Sequence, residues 1–331
     1  MNLLTKDFDY QLPEELIASR PLVDRAASRM MVLHRKEERI EHRMFRDFVE
    51  FSQDGDLLML NNTRVIPARV MSDDGTMELL YLDRNTENTW RCLAKPGKKL
   101  REGGVICVGG CRGEVVEVYE NGDRAIRWDA VPDLQKHGHL ALPHYMKRPD
   151  EESDRERYQT VYAKEEGAIA APTAGLHFTP EILAKLPHDF LTLHVGVGTF
   201  RPVKADRPEE HDMHSEKYHI ASDVVEKVNA AKRVVAVGTT VTRVLEHLAK
   251  NSPAGHRLPE GTHAGETDIF ILPPYQCKAV DALLTNFHLP QSTLMMLISA
   301  LAGREFVLHA YAEAVREKYR FYSYGDCMLI L

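Results

Sequence analysis

Four short stretches of this sequence concentrate the side chains that proton transfer and sugar or base recognition use. His211-Asp212-Met213-His214-Ser215-Glu216 sets two imidazoles beside carboxylates. An imidazole titrates near neutral pH, so His214 with Glu216 suits proton transfer. The same residue types bind metals, but a zincin needs His-Glu-x-x-His on a helix, and Pro208 with its polar neighbours points to a loop. Metal ligation and an ordinary surface loop stay open as alternatives. Residues 170–180 join small residues, Pro172, Thr173 and His177 to Thr179-Pro180-Glu181, a helix start with free N–H donors. Thr285-Asn286-Phe287-His288, followed by Ser292-Thr293, repeats that style. His194-Val195-Gly196-Val197-Gly198 offers a Gly-x-Gly after a strand, but Arg201 stands where a dinucleotide loop needs its third glycine. That leaves a ligand loop or a tight turn. No Walker lysine motif occurs, and Cys107 and Cys111 have no second cysteine pair to complete a zinc site.

The elements that must position these groups read as two textures. Short alternating segments at 77–81, 89–93, 114–118 and 124–128, separated by Gly, Asn and Asp turns, predict a small antiparallel sheet or barrel. Elsewhere the pattern is α/β. Strands are expected at 30–33, 56–60, 191–195, 234–238 and 269–272. Helices are expected around Leu12-Pro13-Glu14, over 222–232, from Thr239 to about Lys250, over 292–302 and over 305–318. An acidic linker at 149–157 separates the textures. The fold class is an α/β main domain (1–64 plus 149–331) carrying an inserted antiparallel β-barrel domain (65–148). Polar residues at strand ends, such as Asn61 and Asn62, are where such folds line a ligand crevice.

Composition bounds the rest. The 331 residues are 44% hydrophobic and 27% charged, which excludes disorder and disulfide miniproteins and predicts about two domains. The net charge of −7 gives no chain-wide basic footprint, so phosphate binding would need a local patch such as Lys95, Lys98, Lys99 and Arg101, which also reads as a solvated turn. The apolar run 294–302 is about half a membrane span, and charges in the first ten residues exclude a signal peptide there. Five scattered cysteines fit a reducing compartment. The expectation is a soluble cytoplasmic protein.

Several long blocks occur together and in order: NNTRVIPAR (61–69), LAKPGKKL (93–100), APTAGLHFT (171–179), LHVGVGTFRPV (193–203), MHSE (213–216), VGTT (237–240) and LLTNFHLPQSTLMML (283–297). With DFDYQLP at 7–13 and SYGD at 323–326, the chain resembles the S-adenosylmethionine:tRNA ribosyltransferase-isomerase family of queuosine biosynthesis over nearly its whole length. Pro274, Cys277 and Cys327 depart from the usual pattern, outside the polar set.

The resemblance implies transfer and isomerisation of the ribosyl part of S-adenosylmethionine onto 7-aminomethyl-7-deazaguanine at a tRNA wobble position. Epoxyqueuosine forms, and adenine and methionine are released. It also implies the α/β domain with its inserted barrel. S-adenosylmethionine would be a consumed co-substrate, with no metal or redox cofactor, because its sulfonium itself acidifies the ribose C5′ hydrogens. His177 and His214 are the expected bases, with Glu216 as orienter or alternate base. Asn61, Asn62, Thr173, Thr240, Asn286, His288 and Ser292 are expected to bind ribose or adenine. Arg64, Arg201 and Arg243 would clamp the methionine carboxylate or a phosphate, and Lys95, Lys98, Lys99 and Arg101 would contact tRNA. The partners are a tRNA and S-adenosylmethionine, with no membrane, and the chain is expected to act as a monomer. Competing readings are an RNA methyltransferase, a metal-dependent hydrolase and a non-catalytic RNA-binding module.

Overall fold

In the computed structural model, which describes residues 3–196, 198, 203 and 205–331, two sheets carry the chain. The larger has nine strands. From edge to edge they are His263–Thr267, Glu216–Ile220, His188–Leu193, Asp56–Asn61, Arg233–Val237, Ala282–Asn286, Cys327–Ile330, Arg29–His34 and Arg39–Met44. Its centre is parallel: Asp56–Asn61 lies between His188–Leu193 and Arg233–Val237, and the latter pairs with Ala282–Asn286. Every residue of Asp56–Asn61 and of Ala282–Asn286 is buried. Near-continuous apolar runs are what a parallel sheet covered on both faces requires.

Alternation along these strands splits the core in two. Met31, Leu57, Met59, Ala236 and Leu283 face the helices Ser222–Ala230, Thr239–Ala249, Thr293–Ala302 and Arg304–Arg316. Met30, Leu58, Leu60, Val235 and Leu284 face Phe45, Phe48 and Phe178, which stack edge-to-face at 4.9 and 5.7 Å around Phe178. Among the described residues no single helix is long and apolar enough to cross a membrane. Thr293–Ala302 and Arg304–Arg316 are bent by 114° at Gly303.

The second sheet is antiparallel and has seven strands, all between Arg69 and His139: Gly138–His139, Arg69–Met71, Glu78–Thr86, Thr89–Lys95, Arg124–Trp128, Cys111–Val118 and Val105–Val108. Trp90 and Trp128, 5.1 Å apart and edge-to-face, fill its core with Leu79, Val115 and Ile126. Register shifts within Tyr81–Asp83, Arg84–Thr86 and Ala125–Ile126 curl it. Among the described residues its two end strands do not pair, so the sheet is an open, curled half-barrel where the sequence led to a small antiparallel sheet or barrel. The reason is length: Gly138–His139 is only two residues long and satisfies one neighbour. A parallel ribbon of Thr63–Val65 with Glu165–Ala168 marks where the chain leaves and re-enters the larger sheet.

Two local expectations are corrected. Leu12-Pro13-Glu14 opens only a single 3-10 turn, Glu14–Leu16. Residues 269–272 form no strand; the edge strand is His263–Thr267, which alternates weakly because its outer residues face solvent.

Candidate active site

A cleft of about 700 Å³ opens at the carboxyl ends of the parallel strands, where open α/β sheets place ligands. Three segments build it: the Ala170–Ala174 turn, Gly238-Thr239-Thr240 at the start of the Thr239–Ala249 helix, and Thr285–Leu289 after the Ala282–Asn286 strand. Gly238 has φ +90 and ψ 155, a conformation that only glycine adopts without strain. No side chain caps the first turn of that helix, so its N–H groups are left as anion-seeking donors at the cleft wall. Tyr145, Tyr158 and Tyr322 close the opposite side with Ser323. Tyr145 and Tyr322 pack at 4.5 Å, and the buried Tyr158 hydroxyl has no partner among the described residues. No Lys, Arg, Asp or Glu lines the cleft among the described residues. An uncharged wall of aromatic faces and hydroxyls suits a desolvated organic cation, attracted through the ring quadrupoles.

Thr173 and Asn286 meet inside this cleft: the Thr173 hydroxyl donates to Asn286 Oδ1 at 2.9 Å. Behind them lies His177. Asn286 Nδ2 donates to its Nε2 at 3.2 Å, and its Nδ1 pairs with Ser28 Oγ at 2.9 Å, while Ser28 donates onward to the Arg25 carbonyl. This network makes His177 the neutral Nδ1–H tautomer with both nitrogens engaged. Burial, reinforced by the Arg25 and Arg320 charges, holds its pKa down at about 3. His177 therefore orients Asn286 and presents no free nitrogen to the cleft. His288 lines the cleft with Nε2 2.9 Å from Thr285 Oγ1, and burial holds its pKa at about 3.

Several expected ligand groups are spent on the protein itself. Asn61 grips the neighbouring strand with both amide atoms: Nδ2 donates to Leu193 O at 2.9 Å, and Oδ1 accepts from Leu193 N at 3.0 Å and Thr63 N at 3.1 Å. Its remaining N–H reaches Thr240 Oγ1 at 3.5 Å. Asn62 accepts from the Thr192 hydroxyl at 2.7 Å. Ser292 is the cap of Thr293–Ala302, accepting from Met295 N and donating to Leu289 O. Arg243 donates to Glu216 Oε2 and to the carbonyls of Ile269 and Thr267, and Glu216 Oε1 accepts from Gly196 N at 2.9 Å. Both are buried, so this ion pair fixes the Gly196 turn and commits all three nitrogens of Arg243 to protein acceptors. The pairing holds Glu216 buried in the wall of the groove described next, where His214 is exposed. Among the described residues no three His, Cys, Asp or Glu side chains are placed to share a metal ion.

That groove runs between the two sheets. Tyr81, Asp83, Trp90, Arg91 and Asp123 line one side, and Glu166, Gly167, His194, His214 and Glu216 line the other. Lys217 bridges to Asp83 at 2.5 Å. Val195, two residues past the end of the His188–Leu193 strand, lines both the groove and the cleft, so the two spaces share that residue as a wall. Arg64 is exposed, 3.9 Å from Glu166. Lys95, Lys98, Lys99 and Arg101 are exposed at the end of the Thr89–Lys95 strand, with no carboxylate within ion-pair distance among the described residues. Arg124 fastens their turn through Gly97 O at 2.7 Å. Arg201 lies outside the described residues.

The family model described as queuosine biosynthesis protein matches residues 5–330. The chain belongs to the queuosine biosynthesis family. Similar members are the S-adenosylmethionine:tRNA ribosyltransferase-isomerases of Thermotoga petrophila and Desulfitobacterium hafniense, each 48% identical over 98% of this chain and 99% of the relative. A crystal structure of S-adenosylmethionine tRNA ribosyltransferase from Thermotoga maritima is also similar, with 38% identity, a TM-score of 0.56, and coverage of 98% of this chain and 100% of that one. Within this queuosine-family fold, sequence reasoning missed the cleft tyrosines Tyr145, Tyr158 and Tyr322. They lie far apart in sequence, and only the fold gathers them. His194 was in view inside a matched block, but read only as part of a glycine turn.

Proposed function

We propose that this chain transfers and isomerises the ribosyl moiety of S-adenosylmethionine onto 7-aminomethyl-7-deazaguanine at a tRNA wobble position, forming epoxyqueuosine and releasing adenine and methionine. The carrying observation is 48% identity, over 98% of this chain, to a protein named S-adenosylmethionine:tRNA ribosyltransferase-isomerase. The cleft supports it chemically. Its aromatic, uncharged wall suits a sulfonium, and the open N–H groups of the Thr239–Ala249 helix suit the methionine carboxylate. Thr173, Thr240, Asn286 and His288 bind the ribose or adenine edge, with His177 holding Asn286. Asn61, Asn62 and Ser292 serve through the backbone they fix.

The sulfonium charge makes a C5′ hydrogen removable, so the protein's task is positioning, proton transfer and exclusion of water, with no metal or redox cofactor. The tRNA base enters the groove past His214 and the Glu216–Arg243 pair, and Arg64, Lys95, Lys98, Lys99 and Arg101 meet phosphates. Residues 65–148 act as an inserted β domain on the α/β domain formed by 1–64 with 149–331. All seven strands of the smaller sheet, and its own apolar core, support this division. Exposed large apolar side chains such as Val23, Met71 and Val161 are scattered singly, which suits a cytoplasmic monomer.

The test is mass spectrometry of an anticodon stem-loop bearing the aminomethyl base after incubation with S-adenosylmethionine. Adenine, methionine and the epoxy-cyclopentane adduct are expected. S-adenosylhomocysteine with a methylated RNA would establish methyl transfer instead.

A further inference from the structure

The ribosyl-transfer reading leaves open what receives the proton of the attacking nitrogen. His194 sits at the end of the His188–Leu193 strand, on the groove side of the wall that Val195 shares with the cleft. That wall is tight, since Ile169 N and Ala170 N both donate to Val195 O. Thr63 Oγ1 lies 2.9 Å from His194 Nδ1 and gives its own single proton to the Glu165 carbonyl at 3.4 Å. With the Thr63 proton on the Glu165 carbonyl, Oγ1 accepts from Nδ1–H and the lone pair sits on Nε2, which is the tautomer assigned to His194. The ring packs against Gly167, where a Cβ would come within 2.9 Å of Nδ1 and Cε1, so a side chain there would push it out of place. Among the described residues no protein group bonds Nε2, and the ring lines the groove.

We propose that His194 is the proton acceptor for the aminomethyl nitrogen of the target base, and that Thr63 is the positioning residue that fixes its tautomer. This rests on the ribosyl-transfer reading. As the amine lone pair becomes the N–C bond to the sugar, the bond from that carbon to adenine breaks and its electron pair leaves with adenine. The nitrogen, now positive, is acidic. One N–H bond breaks, its electrons return to nitrogen, and the proton moves to Nε2. The groups facing His194 are Lys217 and Asp83 across the groove, Glu165 on the ribbon, and the uncharged Thr63. Burial first, and the Lys217 charge second, hold the imidazole below its ordinary pKa against the opposing pull of Glu165 and Asp83. The ring is therefore neutral and able to accept a proton at pH 7.

His194→Gln should lower kcat by about 10²–10⁴-fold with the KM for S-adenosylmethionine nearly unchanged, and should erase the acid limb of the pH–rate profile. Thr63→Val should keep that limb but move it to lower pH, because the Nδ1–H acceptor that favours imidazolium is gone. Added imidazole should restore part of the turnover of His194→Ala. A kcat within a few-fold of wild type for His194→Gln, or an unmoved limb in Thr63→Val, overturns the proposal. If a His194 variant fails to fold, the Thr63→Val limb decides alone. Failure of the wild-type protein to release adenine and methionine would instead strike the functional reading, so the two failures are distinguishable.

Discussion

Two imidazoles at the cleft, His177 and His288, are buried neutral, each with a pKa near 3 against an ordinary 6.5. The unfolded chain binds protons at these positions below about pH 6.5, and the folded chain resists doing so until far lower pH. Stability from them is thus fully present above pH 6.5 and is lost as pH falls toward 3, at about 1.4 kcal/mol per unit of separation for each group. Thermal melting across pH 7 to 4 should show the midpoint falling steeply. His177→Gln should be less stable than wild type at pH 7 by about 1–3 kcal/mol, since Ser28 and Asn286 lose a matched partner, yet show a shallower fall with acid. Equal slopes for the two proteins would mean that His177 is not the group being titrated. At this scale the sequence singled out His177 as a base, and the structure sets it behind Asn286 with both ring nitrogens bonded. Proton-transfer chemistry was legible in the residue type, whereas the two hydrogen bonds and the burial that silence it come from partners 149 and 109 positions away.

Helix and strand ends do the positioning. The Thr239–Ala249 helix begins at the cleft because Gly238 turns the chain at φ +90, and its other half is anchored by Glu246, whose carboxylate accepts from the N–H groups of Lys278, Ala279 and Val280. An alanine Cβ at Gly238 would sit at ordinary contact distance, 3.6 Å, from Ala174 and Thr240. The cost of Gly238→Ala is therefore backbone strain of about 1–3 kcal/mol and not a clash. Relief of that strain rotates the first-turn N–H groups, so the KM for S-adenosylmethionine should rise roughly tenfold with a smaller change in kcat. Steady-state kinetics on the purified variant checks this, and an unchanged KM would detach the helix start from donor binding. Apolar periodicity made these helices and the parallel strands Asp56–Asn61, His188–Leu193 and Arg233–Val237 readable from sequence, but not Ala282–Asn286. The failure at 269–272 has a plain cause: Ile269 and Ile271 are buried by packing in the helix-side core, and an apolar run does not say whether its burial comes from a sheet.

Across the whole molecule, a net charge of −7 coexists with a substrate expected to be polyanionic. Affinity must then come from local cations, and Lys95, Lys98, Lys99 and Arg101 are exposed without carboxylate partners among the described residues. Replacing one of them by alanine should reduce the slope of log affinity against log salt by about 0.7–0.9 if it contacts a phosphate. Binding titrations of a tRNA at several salt concentrations measure this, and an unchanged slope for all four would make the run a solvated turn. The groove between the sheets gives such contacts a purpose, because phosphates held by the smaller sheet would set a base against the wall that carries His194.

Linear order alone determined the α/β and β textures, the strand-end position of Asn61, and the family, because local periodicity and contiguous blocks survive in one dimension. Which polar groups are consumed by the protein and which remain to meet a ligand was decided only by tertiary packing. Asn61 on Leu193, Arg243 on Glu216 and His194 on Thr63 are pairs separated by 132, 27 and 131 residues. A hydrogen bond between such distant positions leaves no trace in residue type or spacing, yet it fixes whether a side chain still has a lone pair or a proton to offer.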